Sequence, residues 1–227
     1  MKAKFGMVVV AGSGKIGGHV ASRNKAGAYF RTKVTPVNPQ STAQLNVRNR
    51  LGTRSQAWRG LTDTQRAAWN GAVGAFAKTD IFGDLKNPSG FNLYQALNNN
   101  LVTVGAAAIS VPPIVGSVLT VTITSISPAA GTGLIPMVLS GAVPAGTAVK
   151  VFATAPQSPG VSFVKSEYRL ITTLPAATAT PVALGAVYSA KFGSWIVGQK
   201  LFFKLVFVNT TSGQQSLPLQ VVTISAA

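Results

Sequence analysis

"KLFFKLVFVNTTSGQQSLPLQVVTI" occupies residues 200–224. Its two ends are runs of β-branched, aromatic and aliphatic residues, and between them lies Asn209-Thr-Thr-Ser-Gly213. This is the pattern of two antiparallel strands joined by a turn. β-Branched and aromatic side chains fit a pleated surface, and Asn, Ser and Gly tolerate the backbone angles of a reversal. The same alternation of Val/Thr-rich runs with turn residues extends back to residue 115. It gives candidate strands at 117–126, 134–140, 147–154, 167–173, 179–184, 199–208 and 217–225. Short strands at this spacing predict a β-sandwich over residues 115–227.

Upstream the period changes from two to nearly four. After Pro39, Ser41 or Thr42 is placed to cap a helix whose Val47, Leu51 and Trp58 recur at offsets of four and seven, with Gly60 at its end. Thr62 and Gln65 form a T-x-x-Q capping box ahead of a helix bearing Trp69, Val73 and Phe76 on one face. A third helix is expected from Ser89, with Leu93, Tyr94, Leu97 and Leu101 on one side and Asn98–Asn100 on the other. Between the second and third helices, "KTDIFGDLKNPSG" reads as a loop with a short strand at 80–82. Residues 101–123 are apolar and long enough to span a bilayer. However, Pro112-Pro113 interrupts them and Thr alternates with Val and Leu afterwards, so they read as a linker (105–114) running into a strand.

Residues 1–40 read as an extended arm. "GGHVASRNKAGAYFRTKV" has a turn at Asn24–Gly27 and predicts a β-hairpin with strands near 16–23 and 28–35, ended by Pro36 and Pro39. The fold class expected is therefore α+β: an extended basic N-terminal arm (1–40), a short helical region (41–104), a linker and an all-β C-terminal sandwich (115–227). Residues 1–40 have few core positions and are expected to be protease-sensitive in the free protein.

Just before the hairpin, "MVVVAGSGKIGGHV" at 7–20 contains Gly12, Gly14 and Gly17, which spell G-x-G-x-x-G. A dinucleotide site also needs a helix whose N-terminal amides hold the pyrophosphate, and an acidic residue about 20 positions on. Residues 18–35 have no helical period, and the first acidic residue is Asp63. A phosphate loop of the G-x-x-x-x-G-K-[ST] type fails because Ile16 follows Lys15. The glycines are read as turn formers, and no cofactor is expected. Lys2 and Lys4 ahead of "FGMVVVAG" loosely resemble a signal peptide, but the apolar segment is short for one.

The chain's 227 residues hold twenty Lys and Arg against four acids, Asp63, Asp80, Asp84 and Glu167, for a net charge of +16. Residues 1–62 carry eleven of the basic groups and none of the acids, whereas 87–149 carry no charge at all. Such a balance speaks to an anionic partner, nucleic acid or an acidic protein surface. "SRNKAGAYFRTK" sets Arg23, Lys25, Arg31 and Lys33 around Tyr29 and Phe30, with Lys15 upstream, and cations interleaved with aromatics suit phosphates and bases or an acidic protein. Arg48, Arg50, Arg54 and Arg59 are distributed around the first helix, which favours contacts on several sides over one groove of a duplex. These eleven residues are the candidate partner-binding set.

Catalytic chemistry finds little material. There is no cysteine, His19 is the one histidine, and no G-x-S-x-G elbow presents a serine. Metal ligation lacks His and Cys, and Asp80 and Asp84, in a Gly-containing loop, are better explained by turn formation. The chain is read as non-enzymatic, with neither metal nor membrane partner.

Several strings in the first hundred residues carry a resemblance. Ser22–Gly27 (S-R-N-K-x-G), Pro36–Gln44, the arginine-rich Val47–Arg59, "AWRGLT…QRAAWN" at 57–70, "TDIFG" at 79–83 and "SGFNLYQALNNNL" at 89–101 are similar to a group of proteins from tailed bacteriophages and prophages, the crAss-like phages among them. The closing hairpin at 200–224 resembles that of fibronectin-type-III and immunoglobulin-like domains, which decorate phage heads and tails. The resemblance implies a structural component of the virion. Such a component would be capsid-associated as an auxiliary, decoration or vertex protein, multimeric in the assembly and bound to capsid, portal-vertex or tail subunits, with non-specific DNA contact. The alternative is a non-enzymatic nucleic-acid-binding protein acting on or packaged with phage DNA. The resemblance supplies no catalytic residue.

Overall fold

The computed structural model describes residues 12–25 and 27–226; the signal-like segment with Lys2 and Lys4 lies outside them. The chain is mixed α+β, with four α-helices and several antiparallel sheets among the described residues. It divides into two compact units. One is the chain up to Arg50 with Ala77–Asn87, and the other is Leu51–Phe76 with the chain from Pro88 onward.

The first unit contains a three-stranded antiparallel sheet of β1 (Gly14–Ile16), β2 (His19–Asn24) and β3 (Gly27–Thr32), in that order. The expected two-stranded hairpin thus gains a third strand, drawn from the glycine-rich segment. Gly17, at φ +55°, reverses the chain directly after Ile16, so that Ile16 pairs with His19. The glycines lead into the strand β2, not into a helix. β3 ends at Thr32, short of the expected 35. After it the Lys33 amide donates to the Gly18 carbonyl (2.8 Å), and residues 33–41 are irregular and exposed.

Helix α1 (Thr42–Arg59) starts where expected, with the Ser41 hydroxyl accepting from the Gln44 amide (3.4 Å). Its expected apolar face does not form. Val47 and Leu51 are 66 % and 54 % exposed, and of the three apolar markers Trp58 alone packs into a core. β4 (Lys78–Thr79) and β5 (Leu85–Lys86) make a minimal hairpin around a turn at 80–84. The strand expected at 80–82 is that turn: an Asp80 carboxylate oxygen accepts from the amides of Phe82 (2.8 Å) and Asp84 (3.2 Å), which holds the backbone in a reversal.

In the second unit, α2 (Asp63–Ala72) begins with the predicted capping box. The Thr62 hydroxyl accepts from the Gln65 amide (3.2 Å), and the Gln65 side chain accepts from the Thr62 amide (2.9 Å). A 3₁₀ turn (Val73–Phe76) follows, and α3 (Gly90–Thr103) is capped by Ser89. Trp69, Leu93, Tyr94 and Leu97 form a core to which Trp58, Val73 and Phe76 add. The rings of Trp58 and Trp69 stand 5.3 and 5.4 Å from that of Tyr94.

All seven expected C-terminal strands are present, several of them shorter: β6 (Ile123–Ile126), β7 (Pro136–Leu139), β8 (Thr147–Ala153), β9 (Arg169–Leu174), β10 (Val182–Ala183), β11 (Lys200–Asn209) and β12 (Leu219–Ile224). They form two antiparallel sheets, ordered β10-β7-β6 and β12-β11-β8-β9. Both contribute to one apolar core, with Met137 and Leu139 from the first and Val149, Val151, Phe203, Leu205 and Phe207 from the second. An unexpected helix, α4 (Gly185–Phe192), sends Tyr188 into that core. The Tyr188 hydroxyl donates to the Thr154 carbonyl (2.8 Å), and burial raises its pKa.

One further expectation is corrected. Asn98–Asn100 do not form a uniformly solvated helix face: Asn98 is fully buried and Asn100 half-buried. Residues 105–114, read as a linker, are irregular, and side chains strap them down. Asn98 accepts from the Ile109 amide (2.7 Å) and donates to the Ile109 carbonyl (3.2 Å). Gln214 does the same with Gly116 and Ile114, and the Trp69 indole donates to the Ser110 carbonyl (2.9 Å). Each side-chain amide has one donor and one acceptor end and so satisfies a strap that has no strand partner. No helix among the described residues is long and apolar enough to cross a membrane, and the stretch after Thr103 is not helical.

Candidate partner interface

The register of the first sheet sorts the candidate residues. Directly paired residues in an antiparallel sheet project from the same face, and faces alternate along each strand. Lys15 pairs with Val20 and Val20 with Arg31, so these three make one cross-strand row; Ser22 and Tyr29 make the next row on that face. Ile16 with His19, Ala21 with Phe30, and Arg23 with Ala28 occupy the opposite face. Cations and aromatics that interleave in sequence are therefore divided in space. Lys15, Arg31 and Tyr29 lie on one face, and Arg23 and Phe30 on the other. Lys25 sits in the turn and Lys33 just beyond β3, both exposed.

Among the described residues this sheet buries little. Within it Ala21, on the central strand, is 2 % exposed, and every other residue described is half-buried or exposed. Strand pairing satisfies the backbone, but a sheet becomes independently stable only with a hydrophobic face or a helix packed on it.

The helix arginines part company. Arg48 is exposed and donates to the Asn38 side chain (2.8 Å), which ties the segment before α1 to its first turns. Arg50 is exposed on the same helix. Arg54 is 7 % exposed, and its guanidinium donates to the Asn98 carbonyl (3.3 Å) at the last turns of α3. It also partly offsets the rise that burial imposes on the Tyr94 hydroxyl pKa. Arg54 is thus spent within the fold. Arg59, in the last turn of α1, is exposed where a cation complements the helix C-terminus. His19 is exposed on β2. Among the described residues no three metal-ligating side chains cluster.

Sequence reasoning missed a polar knot beneath α3. Asn100 donates to the Gly213 carbonyl (2.8 Å) and accepts from Lys150 Nζ (2.9 Å) and Gln215 Nε2 (2.6 Å). Lys150 is buried on β8, and burial lowers its pKa to about 8. The Asn triplet was visible in the sequence, but its partners lie 50 to 115 positions away. A second surface feature was also missed. Lys204 Nζ lies 5.0 Å from the Phe152 ring centre and 4.4 Å from that of Tyr168, beside a groove of about 140 Å³ lined by Phe163, Tyr168, Phe202 and Val222.

Comparison of the chain with protein-family models, curated proteins and solved structures finds no match.

Proposed function

We propose that this chain is a non-enzymatic structural component of a bacteriophage virion. In this reading it is capsid-associated as an auxiliary, decoration or vertex protein, and its basic N-terminal sheet and helices hold it to neighbouring subunits. The observation that carries the reading is the β1–β2–β3 sheet, which is rich in cations and aromatics and buries little beyond Ala21. A sheet so made gains stability when a partner covers it. The likeness of its strings to tailed-phage proteins supplies the setting.

We read the C-terminal sheets as an immunoglobulin-like sandwich. Of its seven strands, β8, β11 and β12 share one sheet and β6, β7 and β10 share the other, which is how the third, sixth and seventh strands separate from the first, second and fifth in that topology, whereas the fourth, β9, pairs with β8 and not with β10. The common core between them supports the same reading.

The test is mass spectrometry of nuclease-treated, gradient-purified phage particles. Stoichiometric recovery is expected, and the copy number separates a shell protein from a vertex or tail protein. Absence from clean particles would sink the reading. The second reading, free nucleic-acid binding, draws on cations beside an aromatic on both faces of the sheet. It requires affinity for DNA to fall steeply with salt, as neutralised phosphates release counterions; a flat salt response removes it.

A further inference from the structure

We infer that β12 is a self-association edge: two copies of this chain pair β12 to β12, antiparallel about a two-fold axis at Val222, and so join two four-stranded sheets into one. The pairing goes beyond the virion reading and holds for the chain in free solution.

β12 ends the order β12-β11-β8-β9, so β11 is its one strand neighbour among the described residues. Sheet edges are commonly blunted by charge, proline or a bulge. β9, at the other edge, begins with Arg169, and its register against β8 shifts between Val151 and Phe152. β12 has neither device: "LQVVTI" is uncharged and its register with β11 is unbroken. Directly after it, the Ser225 amide donates to the Gln199 carbonyl (2.9 Å), and bonding alternates from side to side along an antiparallel strand. The amides and carbonyls of Gln220, Val222 and Ile224 therefore point away from β11. Ala226, next in that series, shows what such groups do: its amide donates to the Pro128 carbonyl (2.9 Å), and its carbonyl accepts from the Ala130 amide (3.0 Å). Among the described residues no backbone stands in that way beside the other three.

The edge selects a second copy. Val222 and Ile224 are each more than half exposed, and beside Val222 lies the groove of Phe163, Tyr168 and Phe202, open to the apolar side chains of an added strand. The chain carries no charge from residue 205 to 227, so two such edges meet without the repulsion that +16 on each copy imposes elsewhere. The lysines paired across from β12 are engaged within their own chain: Lys204 lies over the Phe152 and Tyr168 rings, and Lys200 Nζ donates to the Val161 carbonyl (3.1 Å). An acidic partner finds nothing here to recognise. The register follows from the ends of the edge. Pro218 has no amide to donate and Ala226 is already bonded, so the open ladder is centred on Val222. Val222 then pairs with Val222 of the second copy, and Gln220 with Ile224, each pair exchanging backbone hydrogen bonds. Both copies present the same patch, as a two-fold interface requires.

The experiment uses the full-length, nuclease-treated chain in sedimentation velocity over a concentration series. The wild type is expected to show a monomer–dimer equilibrium. Val222→Lys sets like charges against each other at the axis and should raise the dissociation constant about tenfold. Ile114→Lys adds the same charge at an exposed site elsewhere and should leave it unchanged. The chain has no cysteine, so Val222→Cys gives a second readout that does not depend on how the fold tolerates lysine. Hydrogen-bonded pairs stand about 5.5 Å apart between Cα atoms, within disulfide reach, whereas Gln220 lies opposite Ile224 and out of reach of its own copy. Oxidation should link Val222→Cys dimers and leave Gln220→Cys unlinked. A wild-type chain that stays monomeric at every concentration overturns the inference, as does a dimer that ignores Val222→Lys or one that Gln220→Cys links instead. Cross-linking of Val222→Cys to a different subunit in purified particles, without dimers in solution, would assign the edge to that subunit and also overturn it. None of these results bears on whether the chain is recovered from particles, so the virion reading stands or falls separately.

Discussion

Two of the chain's antiparallel sheets are of opposite construction. In β1–β2–β3 one residue, Ala21, is buried, and charge stands on both faces. In β12–β11–β8–β9 the central strands are buried almost from end to end: β11 alternates between the shared core (Phe203, Leu205, Phe207) and an outer face where Val206 and Val208 are also covered. Backbone pairing is equally complete along β2–β3 and β11–β8. The difference between the sheets is apolar burial, at roughly 25 cal/mol per Å². Hydrogen bonds fix which residues pair; burial decides whether the pairing persists in a free chain.

The largest effects should follow from emptying the buried sheet. Phe203→Ala removes a fully buried ring and should cost about 3–5 kcal/mol, read as a drop in denaturation midpoint. A loss below about 1 kcal/mol would mean that the site collapses freely and that the core is not close-packed as described.

The next effects concern the polar knot that joins α3 to the strands. Gly213 holds φ +72°, and a Cβ there would run into the Leu97 carbonyl of α3. Gly213→Ala should therefore cost about 1–3 kcal/mol. Asn98→Ala leaves the Ile109 amide and carbonyl without their partners and should cost about the same. Faster amide hydrogen exchange at Ile109 is the direct readout. Unchanged exchange there would show that Asn98 is not what holds the strap.

How much of this was legible follows the reach of each interaction. The capping box of Thr62 and Gln65 spans three residues and was read correctly, as were the seven C-terminal strands, whose alternation is local. The burial of Arg54 and Asn98 was not legible: Arg54 donates to a carbonyl 44 positions away, and Asn98 turns inward to hold Ile109. Val47 and Leu51 showed the converse failure, with helical spacing but nothing covering them. For the candidate interface, the residue types were legible, but their division between two faces was not. That division depends on Gly17 reversing the chain after Ile16 and so setting the register of β1 against β2.

Lys150 allows a smaller, pH-resolved test within the buried sheet. Its pKa is lowered to about 8 by burial, while the unfolded chain keeps an ordinary lysine value of ~10.4. Between those values the unfolded state binds more protons, so this group makes stability rise with pH. Its cost is fully present below about pH 8 and is relieved as pH approaches 10. Lys150→Met removes that contribution. The wild type should gain about 1–2 kcal/mol relative to the variant between pH 7 and 10, read from paired melts. Parallel curves would mean that Lys150 is hydrated in solution.

The smallest effect is expected in the other sheet, and there the comparison can break. Ile16→Ala should change global stability by no more than about 0.5 kcal/mol, the range of a surface substitution, because Ile16 is 63 % exposed, whereas Phe203→Ala in β11 costs several times that. Limited trypsin digestion should cut first after Lys33, in the irregular exposed stretch beyond β3, and the remaining β-rich unit should melt where the intact chain does. Intact-mass analysis of the first fragment decides it. Protection of Lys33, together with an Ile16→Ala loss above about 2 kcal/mol, would show that the basic sheet is stable without a partner. The contrast between paired and buried strands would then no longer explain why one end of this chain carries so much charge and so little core.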